Sequence, residues 1–383
     1  MNKIIRLAEM NKRVCIIRSN PIKPDSRVEK IAWTLIKEGY DVRILSWDRD
    51  SNHEELTGTI VVANEQIPIT WLGYKAAFNQ GMKSLRPYLK FQMHMRKWLY
   101  LHRDEIDIIH ACDFDTAFFS QGKAFGKKFI FDIFDFLYGE PKNFLQYAVR
   151  KAQLHIINRA DATIICTEER REQIKDAHPK HLAIIHNTPF IEQLQDNSGL
   201  NFKSTTSRIK IAYVGILSDE RLLTAIGSVI SRKKDVELHI GGFGLLGSLF
   251  NELSLNNDNI YYYGRIPYGQ TLELESKCDI MTAIYDPSIE NCRRAAPNKF
   301  YESLMLGKPV IMVKETGMSS VVSQNNIGEL IEFSEKGFET GLERLINRKE
   351  EWAEMSERMK AIYKEQYSWE IMRRRLADLY SQL

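Results

Sequence analysis

The sequence has no apolar run approaching the ~18 uninterrupted residues that a membrane span requires. Its opening, MNKIIRLAEMNKRVCIIRSN, has basic residues but too short an apolar run for a secretion signal. Cysteine is scarce: Cys15, Cys112, Cys166, Cys278 and Cys292 are scattered, with no Cys-x-x-Cys pair. That argues against a disulfide framework or a zinc site and suits a reducing compartment. Net charge is nearly absent too, with Lys+Arg 53 against Asp+Glu 50, a formal +3, which is too little to argue for nucleic acid. The expectation is a cytoplasmic protein, soluble or peripheral on the inner face of the cell membrane.

What the chain does contain is alternation. At roughly 100–200 residues per domain, its length suggests two domains. Val14–Arg18 reads as an apolar strand and SNPIKPDSR as a turn-rich loop. Ile31, Ala32, Leu35 and Ile36 then mark a helix that stops at Gly39, before a strand at Val42–Trp47. Such a crossover demands a parallel pair. Further strands are predicted at Ile106–Cys112, Lys128–Ile133, Ala162–Cys166 and Ala183–His186. The polar run Glu192–Ser207 reads as a linker, after which strands follow at Ile209–Val214, Val236–Ile240, Asn259–Tyr263 and Asp279–Ile284. The predicted fold class is α/β, with two doubly wound parallel-sheet domains, 1–191 and 208–365, joined by the linker 192–207.

The stretch Glu290–Val313 reads as loop, helix, strand. Pro297 opens the helix, and Phe300, Tyr301, Leu304 and Met305 form one apolar stripe. Gly307 supplies a left-handed stop, and Pro309 prevents continuation into the buried strand Val310–Val313. Lys299 and Glu302, three residues apart, share a face. They are either an ordinary ion pair or the contacts of a phosphorylated sugar, the cation on phosphate and the carboxylate on ribose hydroxyls.

PNKFYESLMLGKPVI resembles the nucleotide-sugar signature of glycosyltransferase family 4 and its relatives of GT-B architecture. The resemblance implies that Glu302 holds the donor ribose, with Pro297 and Asn298 in the same donor segment. The family usually carries a second glutamate eight residues earlier. Here Arg294 occupies that place, and Glu290 is acidic but out of register. VGILSDER resembles the loop that reaches the donor diphosphate, so Gly215 lies at the donor, and Arg221 is assigned to the diphosphate with Lys299 as a second charge. YYYGRIPYGQ resembles the nucleobase loop, around Arg265 and Ile266. DIIHACDFD resembles the His-containing loop beneath the donor sugar, which makes His110 a site candidate and Asp113 and Asp135 acceptor-side ones. A histidine isolated at a strand end is nonetheless more often structural. Asn20 and Arg27, in a first loop that resembles the family's opening, are further acceptor-side candidates, or else turn and helix-start residues. EQYSWEIMRRRLADLY resembles the family's closing helix, so 366–383 is expected to cross back to the first domain. DFD imitates an Asp-x-Asp metal motif, but GT-B enzymes generally need none, so no metal and no cofactor are expected.

The basic stretch 75–103 carries Lys75, Lys83, Arg86, Lys90, Arg96, Lys97 and Arg103 and no acidic residue. Phe78, Leu85, Tyr88, Leu89, Phe91, Met95, Trp98 and Leu99 are interleaved. It suits either an anionic membrane surface or a domain helix with a solvated positive face. The resemblance favours the membrane, because many bacterial members use polyprenyl-linked acceptors.

Taken together, the resemblance implies a retaining, metal-independent hexosyltransferase. It would move a sugar from a nucleotide diphosphate sugar, UDP-linked foremost, to a glycan or lipid-linked acceptor in cell-surface polysaccharide synthesis. Two rivals share the architecture: a nucleotide-sugar 2-epimerase, and a non-catalytic sugar-nucleotide-binding partner subunit, which Arg294 keeps open.

Overall fold

A computed structural model describes residues 12–22, 25–76, 84–122, 125–190 and 199–383. Residues 192–198 of the predicted linker and the basic-stretch residues Phe78 and Lys83 lie outside the described residues. The chain divides into two compact units, one running to His186 and including Met372–Leu383, the other Asn187–Ile371.

Among its described residues the first unit holds eight strands: β1 (Arg13–Arg18), β2 (Asp41–Asp48), β3 (Leu56–Val62), β4 (Glu65–Gly73), β5 (Ile108–Cys112), β6 (Lys128–Ile133), β7 (Ala162–Ile165) and β8 (Leu182–Ile184). Their order is β3-β4-β2-β1-β5-β6-β7-β8. The second unit holds β9 (Ile209–Ile216), β10 (Val236–Phe243), β11 (Ile260–Tyr262), β12 (Ile280–Ala283), β13 (Val310–Val313) and β14 (Gly328–Ile331). These run β11-β10-β9-β12-β13-β14. Every pairing is parallel except β3 with β4.

Parallel strands covered on both faces are apolar throughout, and β5, β7, β12 and β13 are buried along their whole length. All five cysteines are free and buried. The first crossover helix, Ser26–Lys37, begins where the Asp25 carboxylate accepts from the Val28 N–H at 3.2 Å. That bond satisfies one of the amides a helix start leaves open.

Three strands were not predicted. β3 and β4 form an antiparallel edge hairpin whose turn places Ala63 and Asn64 at φ +44° and +69°. That geometry suits a two-residue hairpin turn, but Ala-Asn is not its usual sequence. β14, at the far edge of the second sheet, is short and only partly buried.

In each sheet the direction of winding reverses once, between β1 and β5 and between β9 and β12. Ligands of such sheets bind beyond the carboxyl ends of the strands at that switch point. Arg18 and Asp113 stand there in the first unit, Gly215 and Tyr285 in the second. Among the described residues, no helix is long and apolar enough to cross a membrane.

Candidate active site

The second unit builds its site from the helix Asn298–Leu306. Pro297 caps it, with Asn298 as its first residue, and Gly307 ends it at φ +66°. Phe300, Tyr301 and Leu304 are fully buried against Val310, Met359 and Tyr363. At about 1.5–3 kcal/mol for a buried side chain of this size, that face holds the helix in place. Lys299 is half-buried and Glu302 almost wholly so, at only 3% exposed. The Lys299 ammonium stands 4.7 Å from the Tyr213 ring centroid. Burial alone would pull the lysine down, but Tyr213, Tyr285, Glu302 and Glu275 outweigh it and hold its pKa above the ordinary value.

The carboxyl end of β9 meets this helix. Gly215 has φ +156°, and a Cβ there would lie 2.6 Å from Lys299 Nζ. Its neighbour in register on β10 is Gly242, whose N–H donates to the Gly264 carbonyl at 2.7 Å. The glycines of GGFG, legible beforehand only as a tight strand-to-helix turn, begin inside β10, which runs on to Phe243. Arg221 stacks on Tyr285 at 3.8 Å and bonds Cys292 Sγ at 3.8 Å. Arg265 lies over Phe243 at 4.8 Å, and the Ile266 side chain lies against Gly241. Asn298 Oδ1 accepts from Asn187 Nδ2 at 3.0 Å, and Arg294 approaches Glu290 at 4.0 Å. The structure thus brings Gly215, Lys299 and Glu302 together and adds Tyr213, Tyr285, Glu275 and Tyr268, which the sequence did not single out.

In the first unit, a cavity of about 590 Å³ opens at the switch point. Asn20, Asp113 and Asp135 line it, together with Arg18, Arg49 and Asp115, which sequence reading missed. Asp113, at φ +67°, accepts from the Phe134 and Asp135 amides at 2.9 and 3.1 Å and pairs with Arg18. Burial pushes its carboxyl up to about 6 despite that arginine. Arg18 also reaches Asp25 at 3.0 Å and stacks on Phe134 at 4.3 Å. Asn20 is bound within its own loop, donating to Asp25 and accepting from the Ile22 amide. Asp135 pairs with Arg170 at 3.1 Å.

Arg27 and His110 do not line this cavity. Arg27 is 3% exposed and holds Asp132 at 2.7 Å and the Ile185 carbonyl at 2.6 Å. His110 is fully buried, with Nδ1 against the Tyr380 hydroxyl at 2.7 Å and Nε2 against Asp132 at 3.3 Å. Both serve the interior, because an isolated buried carboxylate needs partners. His110, Cys112 and Asp132 also form a group that could hold a metal ion, yet its histidine and aspartate atoms are already bonded within the protein.

Within the basic stretch, Leu85–Leu101 form a helix. Phe91, Met95, Trp98 and Leu99, read from sequence as candidate interface rings and apolar groups, are core residues, with Phe91 stacked on Trp47 at 5.1 Å. The outer face exposes Leu85, Leu89, Met93, Tyr100 and Leu101 among Arg86, Lys90, Arg96 and Lys97.

Two parallel-sheet α/β units with sites at their switch points define a GT-B protein. Residues 26–188 match the family model Glycosyltransferase Family 4, and residues 202–365 match Glycosyl transferases group 1. The chain belongs to this glycosyltransferase family. It is similar in structure to sucrose-phosphate synthase from Thermosynechococcus elongatus (TM-score 0.71, 13% identity, covering 97% of this chain and 99% of that one). It is also similar to Anabaena HepE in complex with UDP-glucose (TM-score 0.67, 14% identity, 97% and 100% covered). A third similar structure is α,α-trehalose 6-phosphate synthase from Burkholderia multivorans (TM-score 0.67, 13% identity, 97% of each chain). No curated protein matches the sequence significantly.

Proposed function

We propose that this glycosyltransferase takes its sugar, a hexose, from a nucleotide diphosphate sugar, UDP-linked in the first instance. The acceptor is a glycan or polyprenyl-linked hydroxyl in cell-surface polysaccharide synthesis, and the anomeric configuration is retained. The observation that carries the reading is the meeting of Lys299, on its helix start, with Gly215 at the carboxyl end of β9. A side chain at Gly215 would displace the ammonium, so the backbone there leaves room for a cation and an anionic ligand together. HepE, a structural neighbour, is described in complex with UDP-glucose, which supports the choice of base.

As the glycosidic bond breaks, charge builds on the leaving diphosphate. In the proposed mechanism Lys299, Arg221 and the helix start stabilise it, with Arg221 held by its stacking on Tyr285. Glu302 holds the ribose, Arg265 and Ile266 flank the base, and the cavity around Asp113 and Asn20 takes the acceptor. The chemistry is proposed to need no metal and no cofactor. The outer face of Leu85–Leu101 is proposed to rest on an anionic membrane, which would place the protein at the inner membrane surface.

Calorimetric binding of UDP, GDP and dTDP, with and without magnesium, tests the reading. Tight, metal-independent binding of one of them is expected, and binding by none would overturn it.

A further inference from the structure

Beneath the donor segment lies an acid that the proposed reaction does not use. Glu275 sits on the helix Tyr268–Ser276, which packs against the helix carrying Lys299 and Glu302. Its side chain is fully buried, and neither carboxyl oxygen has a hydrogen-bond partner among the described residues. An ionised carboxylate in that setting forgoes its solvation with no bond in return, which is why such groups stay protonated. The groups that face it favour the same state. Glu302 adds a like charge, and burial together with Glu302 outweighs the opposite charge of Lys299. Tyr268 and Cys278, on its own segment, are kept protonated chiefly by burial. Tyr268 in turn hydrogen-bonds Glu302, so the two helices share one network.

We propose that Glu275 is a positioning residue of the donor site: as a neutral acid it leaves Glu302 the single carboxylate beside Lys299, and its ionisation places a second negative charge there that drives the nucleoside diphosphate off. The proposal rests on the reading of Lys299 and Glu302 as donor contacts. No covalent bond changes; one proton is exchanged with solvent. The neighbours cannot account for an alkaline loss of affinity by themselves. Lys299 keeps its charge to a higher pH than an ordinary lysine, and Tyr268 and Cys278 titrate above their ordinary ranges. An aliphatic side chain of similar volume would pack at position 275 without the electrostatic cost, so the carboxyl is the informative part of this residue.

The test is calorimetric binding of UDP, GDP and dTDP to the full chain, from roughly pH 6 to pH 10, for the wild type, Glu275→Gln and Glu275→Met. Wild-type affinity for the nucleotide that binds is expected to fall, above the Glu275 midpoint, by up to about tenfold per pH unit, the limit for one linked proton. Both variants should lose that limb and keep only the titrations of the ligand itself, its terminal phosphate near the acid end and its nucleobase near the alkaline end, which are common to all three proteins. Parallel pH profiles in all three would overturn the proposal, because a merely structural glutamate shifts affinity equally at every pH. Absence of binding to the wild type at any pH would instead overturn the donor-site reading, and the proposal with it. Thermal melting establishes which variants are folded, and Glu275→Met alone decides the question if the buried amide of Glu275→Gln is not tolerated.

Discussion

The carbonyl oxygen of Gly215 lies 1.8 Å from where a Cβ on Gly242 would stand. The two residues are register partners on β9 and β10, and both have positive φ. Gly242→Ala must therefore push the strand ends apart. It is expected to destabilise the second unit by about 2–3 kcal/mol and to displace Lys299 through Gly215. Urea unfolding checks the first effect and nucleotide calorimetry on the folded variant the second.

Glu302 is proposed as the ribose ligand of the donor site. Glu302→Ala should weaken binding of the cognate nucleotide by about 1–3 kcal/mol, the worth of charged hydrogen bonds. An unchanged dissociation constant would remove it from the site.

Arg27 answers to a different measurement. Its guanidinium is the cationic partner of buried Asp132, so Arg27→Ala leaves that carboxylate with His110. Destabilisation of about 3–5 kcal/mol is expected in chemical denaturation. Adding Asp132→Asn should recover part of it, because the uncompensated charge is then gone.

His239 sets a pH dependence. Its ring lies between Phe202 and Tyr261 and bonds Tyr263 at 2.9 Å and Glu237 at 3.3 Å. Burial pulls its pKa down to about 4, although Glu237 works the other way. An unfolded histidine titrates near 6.5. Between those values the unfolded chain binds a proton that the folded one does not. The stabilisation is therefore full above about pH 6.5 and is lost as pH falls through about 4, a change on the order of 3 kcal/mol. The difference in stability between wild type and His239→Gln, followed by thermal melting across that window, should carry this slope.

The outer face of the helix Leu85–Leu101 makes the membrane proposal checkable. Vesicles rich in anionic lipid should sediment the protein at low salt and release it at high salt. Charge reversal at Arg86, Lys90 and Lys97, all exposed, should abolish sedimentation. Wild-type protein absent from the pellet at every salt concentration would leave this face simply solvated.

Much of the fold was legible because its signals are local. The stripe Phe300–Tyr301–Leu304, the stop at Gly307 and the strand Val310–Val313 are short-range patterns, and the structure shows them nearly as read. The hairpin β3–β4 was not legible, because Ala63 and Asn64 do not announce the turn they make. Site residues divide in the same way. Lys299 and Glu302 belong to a contiguous motif, whereas Tyr285, Arg49 and Glu275 gain meaning only from the topology that sets them beside residues far away in sequence. His110 and Arg27 show the limit from the other side. A polar residue at a strand end or helix start carries no mark of whether it faces a ligand or a buried aspartate 22 or 105 positions away.

The return of Met372–Leu383 to the first unit has a consequence for biosynthesis. Tyr380 closes over His110 from a segment that leaves the ribosome only after the whole second unit has done so. The first unit therefore cannot complete its interior during its own synthesis, and the second can fold ahead of it. On the nascent chain, protease resistance should reach residues 187–371 before residues 12–186, reversing the usual N-terminal-first order.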